Sequence, residues 1–479
     1  MTKYSITALD TPQKTTQTLE GIDQLIVERA AALSVNGPAI KWVRPITDIR
    51  IDNAGLIEST AKGGRAIDLN VQSNDTIKIT LDNLEGGIIR SSNDAFRINT
   101  SLTAASIFVI NAGKIISSTN GQAIDFDAVT TKPGSGDGIT ISNLASGRIE
   151  AIGADAVRPG NGTIIRNAGM IISSGIIGDK NDAIDWQDKS GEVNNLTGGI
   201  ISGQRHGVTS NVYVTVFNDA GASIIGRNGS GVGSDGGGMV VNYGRITGDY
   251  AGVGNGDGDG VDIDGYGHVD NYGIIEGIAA GGPDGAAEGV LVSGGGAINN
   301  YGGATITGVV RGVTAGFGTI VTNAGAITAI GLDTTADGIG GYGMTINNLA
   351  GGTIYGNTRG IFAGAGLSLS NDGSIYGDQQ GVLLLGNEIN NIINNGAIKS
   401  NFSAIQAQSG TNSIISSGFI NSERFGILLQ SGNNIIDLRA GSMTSGKEAA
   451  VYSLGISDNI ILNAGTIDGT VYLNNGADK

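Results

Sequence analysis

The sequence predicts an all-β chain, a single-stranded parallel β-helix (β-solenoid) of about 17 coils with three short strands per coil and an N-terminal cap. Three observations predict it. A short phrase, Asn-x-Gly-x-Ile with one- or two-residue extensions, recurs every 22 to 32 residues and settles near 23 toward the C-terminus. Glycine supplies 83 of 479 residues, against roughly 7% in ordinary globular chains. Aliphatic and β-branched residues come in short runs bounded by Gly, Asn or Asp, which is a strand–turn pattern.

Taken in order, Tyr4–Leu9 reads as a lone alternating strand. Residues 16–33 read as the cap. Leu19, Ile22, Leu25, Ile26 and Leu33 have the spacing of one face of a short helix, while Gly21 and Leu25-Ile26-Val27 leave a strand reading open. This divides the chain into an N-terminal arm and cap, 1–36, and a parallel β-helix, 37–479. The phrase then appears as Asn53-Ala54-Gly55-Leu56-Ile57, Asn111-Ala112-Gly113-Lys114-Ile115, Asn242-Tyr243-Gly244-Arg245-Ile246 and Asn371-Asp372-Gly373-Ser374-Ile375. Two late anchors depart from it, at Ser416 and Arg439. In the coil from Asn371, Gly373–Gly377, Gly381–Leu385 and Glu388–Ile393 are the three strands.

Coils wound this way stack their strands about 4.8 Å apart, with alternate side chains inward. First-strand isoleucines such as Ile57, Ile115, Ile171 and Ile375 form one inward ladder. The second strand has its own phrase, a small residue followed by an aliphatic: Ala66-Ile67, Ala123-Ile124, Gly289-Val290, Gly381-Val382. The anchor asparagines fall at one corner, where an amide can bond its own turn and the asparagine of the next coil.

The residue after each second-strand aliphatic points outward. From the N-terminus that position reads Lys41, Asp68, Arg97, Asp125, Arg158, Asp185. The sign alternates coil by coil, which places opposite charges on neighbouring strands. Toward the C-terminus the same stripe turns apolar, with Leu291, Phe362, Leu383, Leu428 and Tyr452, and Leu385 beside it. An apolar stripe on a soluble chain marks a contact surface, or is covered by a terminal segment. The chain stops after Val471–Gly476 with no evident cap, so that edge is expected to receive another chain unless the sequence is a fragment.

Composition narrows the function. The net charge is −16 and the pI about 4.5. No basic cluster exists to neutralise phosphates, so nucleic acid is not an expected partner. There are no cysteines, which excludes disulfides and thiolate metal sites. No N-terminal signal peptide is visible and no apolar run is long enough to span a membrane. His206 and His268 stand apart and read as turn residues, and no phosphate-binding loop or dinucleotide fingerprint is present. No catalytic residue stands out, and no cofactor is expected. The one metal candidate is Gly256–Asp264, where Asp257, Asp259, Asp262 and Asp264 crowd a glycine-rich loop and could offer oxygen ligands to Ca²⁺. A solvated acidic loop is the other reading.

From residue 37 to 479 the repeated asparagine–glycine–isoleucine grammar resembles secreted bacterial β-strand-repeat proteins with a right-handed parallel β-helix. Autotransporter passengers, filamentous adhesins and type I-secreted repeat regions are of this kind, and the Gly256–Asp264 loop resembles the nonapeptide of calcium β-rolls. The resemblance implies a non-enzymatic protein of the bacterial exterior or cell surface: an adhesin, surface-layer unit or filament subunit. Its expected partners are other copies of itself, end to end or laterally, or a cell-surface glycan. The alternative on the same scaffold is a polysaccharide lyase or glycoside hydrolase. Such enzymes build a cleft from long inserted loops, and here Val129–Gly138 is the main insertion.

Overall fold

Apart from Asp337–Asn348 and Arg359–Asn371, which alone run longer among the described residues, short strands of two to seven residues recur along the coils because turns cut most apolar runs before they can lengthen. In the coil after Asn371 they are Ser374–Gly377, Gln380–Leu384 and Ile389–Asn394, within a residue or two of the predicted runs. The computed structural model describes residues 2–479 except 71–76, 101, 103, 131–137, 179, 255, 280–286, 333–334, 456, 475 and 477. The insertion expected at Val129–Gly138 therefore falls largely outside the described residues. The chain is an all-β parallel β-solenoid of about 18 turns, nearly without helix. No helix among the described residues is long and apolar enough to cross a membrane.

Two compact units divide the chain. The first comprises Met1–Gly236 with Tyr243–Gly256, the second Gly237–Asn242 with Asp257–Lys479. Within the first, Leu56–Ser59, Ile88–Ser91, Lys114–Ser117 and Arg148–Ala151 pair in parallel, each with the next. Within the second, Thr353–Gly356, Ser374–Gly377 and Ala397–Ser400 do the same. Register is kept coil after coil, so like positions stack. Ile57, Ile89, Ile115, Ile149 and Ile171 form one fully buried column, and Ile67, Phe96, Ile124, Val157 and Ile184 another. Burying each such side chain contributes roughly 1.5–3 kcal/mol.

The anchor asparagines form the predicted corner. Asn53 donates through Nδ2 to Oδ1 of Asn83 at 2.7 Å, and the pattern repeats through Asn111, Asn143, Asn167, Asn195 and Asn218. In the second unit it runs from Asn242 through Asn271, Asn300, Asn323, Asn348 and Asn371 to Asn394, which donates to Ser416 at 3.2 Å. The same Nδ2 also reaches a backbone carbonyl of the next coil, as Asn167 does to Ile200 at 3.2 Å. The following rung is Leu438, not Arg439: Leu438 pairs with Ser416 on one side and Asn463 on the other. A buried aliphatic ends the amide column there. A second column, Asn390–Asn412–Asn434–Asn459, occupies the start of the last third strands at 2.8–2.9 Å spacings.

The helix expected within 16–33 is not formed. Gln17–Gly21, Gln24–Val27 and Ala32–Val35 are three strands that pair in parallel with the coil that follows. Leu25, Val27, Leu33 and Val35 are buried at alternate positions, whereas Ile22 is exposed. The governing period is two, and a few of its members coincide with helical spacing. Lys3–Ile6 is not a lone strand either, since it pairs with Gln24–Val27. At the other end the chain folds onto its own last third strand: Lys479 N donates to Asn459 O at 2.9 Å, and Ile461 N to Lys479 O at 3.0 Å.

Candidate functional site

The outer face of the second strands concentrates the charged chemistry. Each strand enters through a small residue because there is no room for more. A Cβ on Gly360 would lie 2.6 Å from the Gly381 carbonyl oxygen. That tight corner brings the side chain just before the small residue alongside the one three positions later.

In the first unit the predicted row stacks in order. Asp68 pairs with Arg97, Arg97 with Asp125, and Asp125 with Arg158. Asp185 lies in the next coil, before Thr209, and Lys41 stands beside Thr18. The ion pairs, however, run mostly to a second row: Arg65, Asp94, Gln122, Asp155, Asp182. Arg97 meets Asp68 at 3.0 Å and Asp94 at 3.7 Å, Arg65 meets Asp94 at 2.6 Å, and Arg158 meets Asp155 at 2.7 Å. Asp182 is fully buried and accepts from Arg205 Nε and Nη2 at 2.9 and 2.7 Å, from the His206 amide at 3.0 Å and from Thr209 at 2.9 Å. Burial pushes its carboxyl up, but these donors more than offset that and hold it below the usual range. Asp155, Asp182 and Asp185 have oxygens within 4.8 Å of one another, a crowding that Arg158 and Arg205 partly offset.

Among the described residues Asp125 accepts from the Asp127 amide at 3.3 Å and from no arginine. Burial, then Asp127 and Asp94, pushes its carboxyl up to about 7. Burial and Asp182 raise Asp155 to about 6. Both bind a proton more tightly folded than unfolded, where an aspartate titrates near 3.9. Their contribution to stability is thus fully present below about pH 4 and lost as pH rises through about 6 and 7. Chemical unfolding should show the first unit more stable at about pH 5 than at about pH 8. Asp125→Asn should remove the part of that slope extending to about 7. A flat wild-type profile between these values would contradict the assignment.

In the second unit the inner row reads Asp259, Glu288, Arg311, Asp337, Arg359 in successive coils. Arg359 grips Asp337 at 2.5 and 3.1 Å, and Arg311 lies 3.5 Å from Asp337 and 3.7 Å from Glu288. Asp337 is nevertheless raised, because burial outweighs both arginines. Charges alternate from Glu288 onward, but Asp259 and Glu288 are neighbours of like sign. Three of the four predicted calcium aspartates gather there: Asp257, Asp259 and Asp262 present oxygens within 4.8 Å of one another. Asp264 stands exposed beyond the strand Val261–Ile263, outside that group. Glu288 joins them instead, its amide donating to Asp259 Oδ1 at 2.7 Å. It lies 29 residues away in sequence, and only the coil spacing brings it near. Asp259 is raised well above the usual range, first by burial and then by Glu288, Asp257 and Asp262.

The predicted apolar stripe is less open than its sequence implies. Leu383 and Leu428 are buried, at 7% and 3% exposure. Leu428 forms a small outer core with Phe425 and Ala449, against which Phe402 and Tyr452 pack, and Tyr452 stacks on Tyr472 at 5.1 Å. Leu291, Phe362 and Leu385 are half-buried, and Arg359 covers the Phe362 ring at 4.5 Å. The exposed apolar surface lies on the third strands of the same coils. Ile389, Ile393, Ile435, Ile460 and Leu462 are 37–67% exposed. Ile393 pairs with Ile415, and Ile435 with Ile460, in neighbouring coils.

Of the two histidines, His206 accepts the Ser230 amide at 2.7 Å and His268 pairs with Asp270 at 3.0 Å. A hollow beside Glu58, Lys62 and Arg90 contains one carboxylate. Burial raises Glu58, but hydrogen bonds from Ser34 and Arg90 outweigh it and leave it lowered.

Fold and surface together define a parallel β-solenoid repeat protein. The chain matches no family model, no curated protein and no solved structure.

Proposed function

We propose that this chain is a non-enzymatic structural protein of the bacterial exterior, a surface-layer or filament subunit or adhesin, whose second unit associates laterally with another copy. The exposed isoleucine pairs on its third strands carry the reading. A parallel sheet normally has both faces covered. Here the inner face covers the core, while the outer face presents Ile393, Ile435, Ile460 and Leu462 to solvent. Isoleucine pairs stacked at the strand spacing, Ile393 on Ile415 and Ile435 on Ile460, fit an identical copy, since a two-fold contact uses the same patch on both partners. Lateral contact is favoured over end-to-end contact. Lys3–Ile6 is already paired within the chain, and Asp478–Lys479 occupy part of the last third-strand edge. The cysteine-free, acidic composition and the repeat grammar support the external location.

The rival enzyme reading needs convergent carboxylates in a cleft, and glycoside hydrolysis commonly uses a pair of them. The carboxylates of the second-strand face are instead mostly tied to arginines and amides of neighbouring coils. Light scattering and electron microscopy across a concentration series test the proposal. The intact protein should form dimers or larger assemblies, and I435D/I460D should remain monomeric with unchanged circular dichroism. A monomer at every concentration, or turnover of an acidic polysaccharide by the purified protein, would sink it.

A further inference from the structure

The geometry points to a binding site for a carboxylate-bearing saccharide in the second unit, on the outer face of its first strands and centred on Lys399. The site rests on the adhesin form of the function proposed above and names the kind of glycan it would hold.

Register sets what faces outward there. Tyr355, Tyr376, Lys399, Asn421 and Ser445 pair in that order, coil after coil. Two residues earlier on the same strands, Ala397, Phe419 and Met443 form a second outward row. Ala397 and Ser445 are short and longer side chains stand around them, so the surface sinks between the rows. A hollow of about 390 Å³ lies among Ala397, Lys399, Phe419, Asn421, Met443 and Ser445. A second, of about 380 Å³, shares Asn421, Met443 and Ser445 with it and continues to Glu423, Lys447 and Asp468. Both are of a size that small ligands occupy.

Charge selects the ligand. The chain carries a net −16, and in the second unit Arg311, Arg359, Arg424, Arg439 and Lys447 each meet a carboxylate. Lys399 meets none among the described residues, and it stands exposed at the first hollow. An ammonium has three N–H donors and no acceptor, so its natural complement is an anionic oxygen.

The rest of the lining suits a sugar better than a peptide. Asn421 is exposed and donates to Ser445 Oγ at 2.6 Å, and an amide fixed in this way is a selective partner for hydroxyl groups. Phe419 is 54% exposed, and Met443 pairs with it in the next coil. An aromatic face is electron-rich, and the C–H face of a saccharide ring packs against it. On the other side of Lys399, Tyr376 ends a parallel stack with Tyr355 at 5.6 Å, which adds further ring surface. A peptide adds to a sheet through unpaired backbone, but Ala397–Ser400 is paired on both sides and offers no edge.

Isothermal titration calorimetry of the full chain with trigalacturonate and with sialyllactose tests this, with the trigalacturonate methyl ester and lactose as neutral counterparts. An acidic sugar should bind, its neutral counterpart about tenfold more weakly, and added salt should weaken the acidic one. K399Q should lose about the same factor. F419A should weaken binding of the acidic and neutral sugars alike, and K14Q, in the first unit, should change nothing. I435D/I460D should bind as the wild type does, so a failure to assemble and a failure of this site are read apart. Cleavage of the probe would strike the non-enzymatic reading and leave the site standing. No binding of either acidic sugar at about millimolar concentration overturns the site, as does binding that survives K399Q or F419A. Equal binding of polyglutamate also overturns it, since the surface would then hold any anion and not a sugar.

Discussion

Asn167→Asp is expected to destabilise the first unit by about 3–5 kcal/mol, the cost of an uncompensated buried charge. The side chain differs by one atom, so packing is unchanged. Hydrogen bonding is not. Asn167 is fully buried. It accepts from Asn143 Nδ2 at 2.8 Å, and its own Nδ2 donates to Asn195 Oδ1 at 2.8 Å and to Ile200 O at 3.2 Å. A carboxylate keeps the first bond and turns the other two into contacts between acceptors. Every rung of the column both donates and accepts, so one reversed member also orphans its neighbour. Protonation restores a donor. The deficit relative to wild type should therefore shrink on acidification toward the unfolded value near 3.9. Urea unfolding followed by circular dichroism measures it. A loss below about 1 kcal/mol, the net value of an ordinary hydrogen bond, would mean that the column does not hold the corner.

The solenoid was legible because repetition fixes it many times over. The asparagine phrase marks a corner, and the small–aliphatic phrase marks a second strand. A misreading of one coil, as at Arg439, is corrected by its neighbours. The first coil is ambiguous because Leu19 and Leu33 satisfy helical and strand periods together, while Leu25 and Val27 follow the strand period alone. The charged row from Asp68 to Asp185 was visible at one residue per coil. Arg97 does meet Asp68 of the same row, but Arg97 also lies near Asp94 and Arg158 pairs with Asp155, each three residues upstream, where a stride of three would have found them. Glu288 gave no local signal, since its relation to Asp259 depends on an inter-coil distance that varies from 22 to 32 residues. Leu383 and Leu428 occupy outward positions by alternation, yet are buried, at Leu428 because Phe425, Phe402 and Tyr452 gather around it. Alternation tells which way a side chain points, and only the neighbouring coils decide whether water reaches it.

Arg205→Met should cost a comparable amount, about 3–5 kcal/mol, because it leaves a buried carboxylate without its cation. Methionine retains much of the apolar stem, so the loss is mainly electrostatic. Asp182 has no exposed surface and takes two of its hydrogen bonds from this guanidinium. Asp155 and Asp185 stand within 4.8 Å of it. Without Arg205 the three carboxylates face each other with Arg158 as the remaining arginine among the described residues. In the wild type Asp182 is lowered, so it stabilises the fold above about pH 4, and this is lost as pH falls through its folded value. In the variant, burial and its acidic neighbours should raise it. Its stabilising contribution would then be present below about pH 4 and vanish as pH rises. The two stability curves should converge in acid and separate toward neutrality. Removing the charge as well gives the control. R205M/D182N should recover most of the loss, since a buried pair replaced whole is often nearly neutral where half a pair is not. If the double variant is no more stable than R205M at neutral pH, the cost lies in packing and Asp182 is not held by its charge.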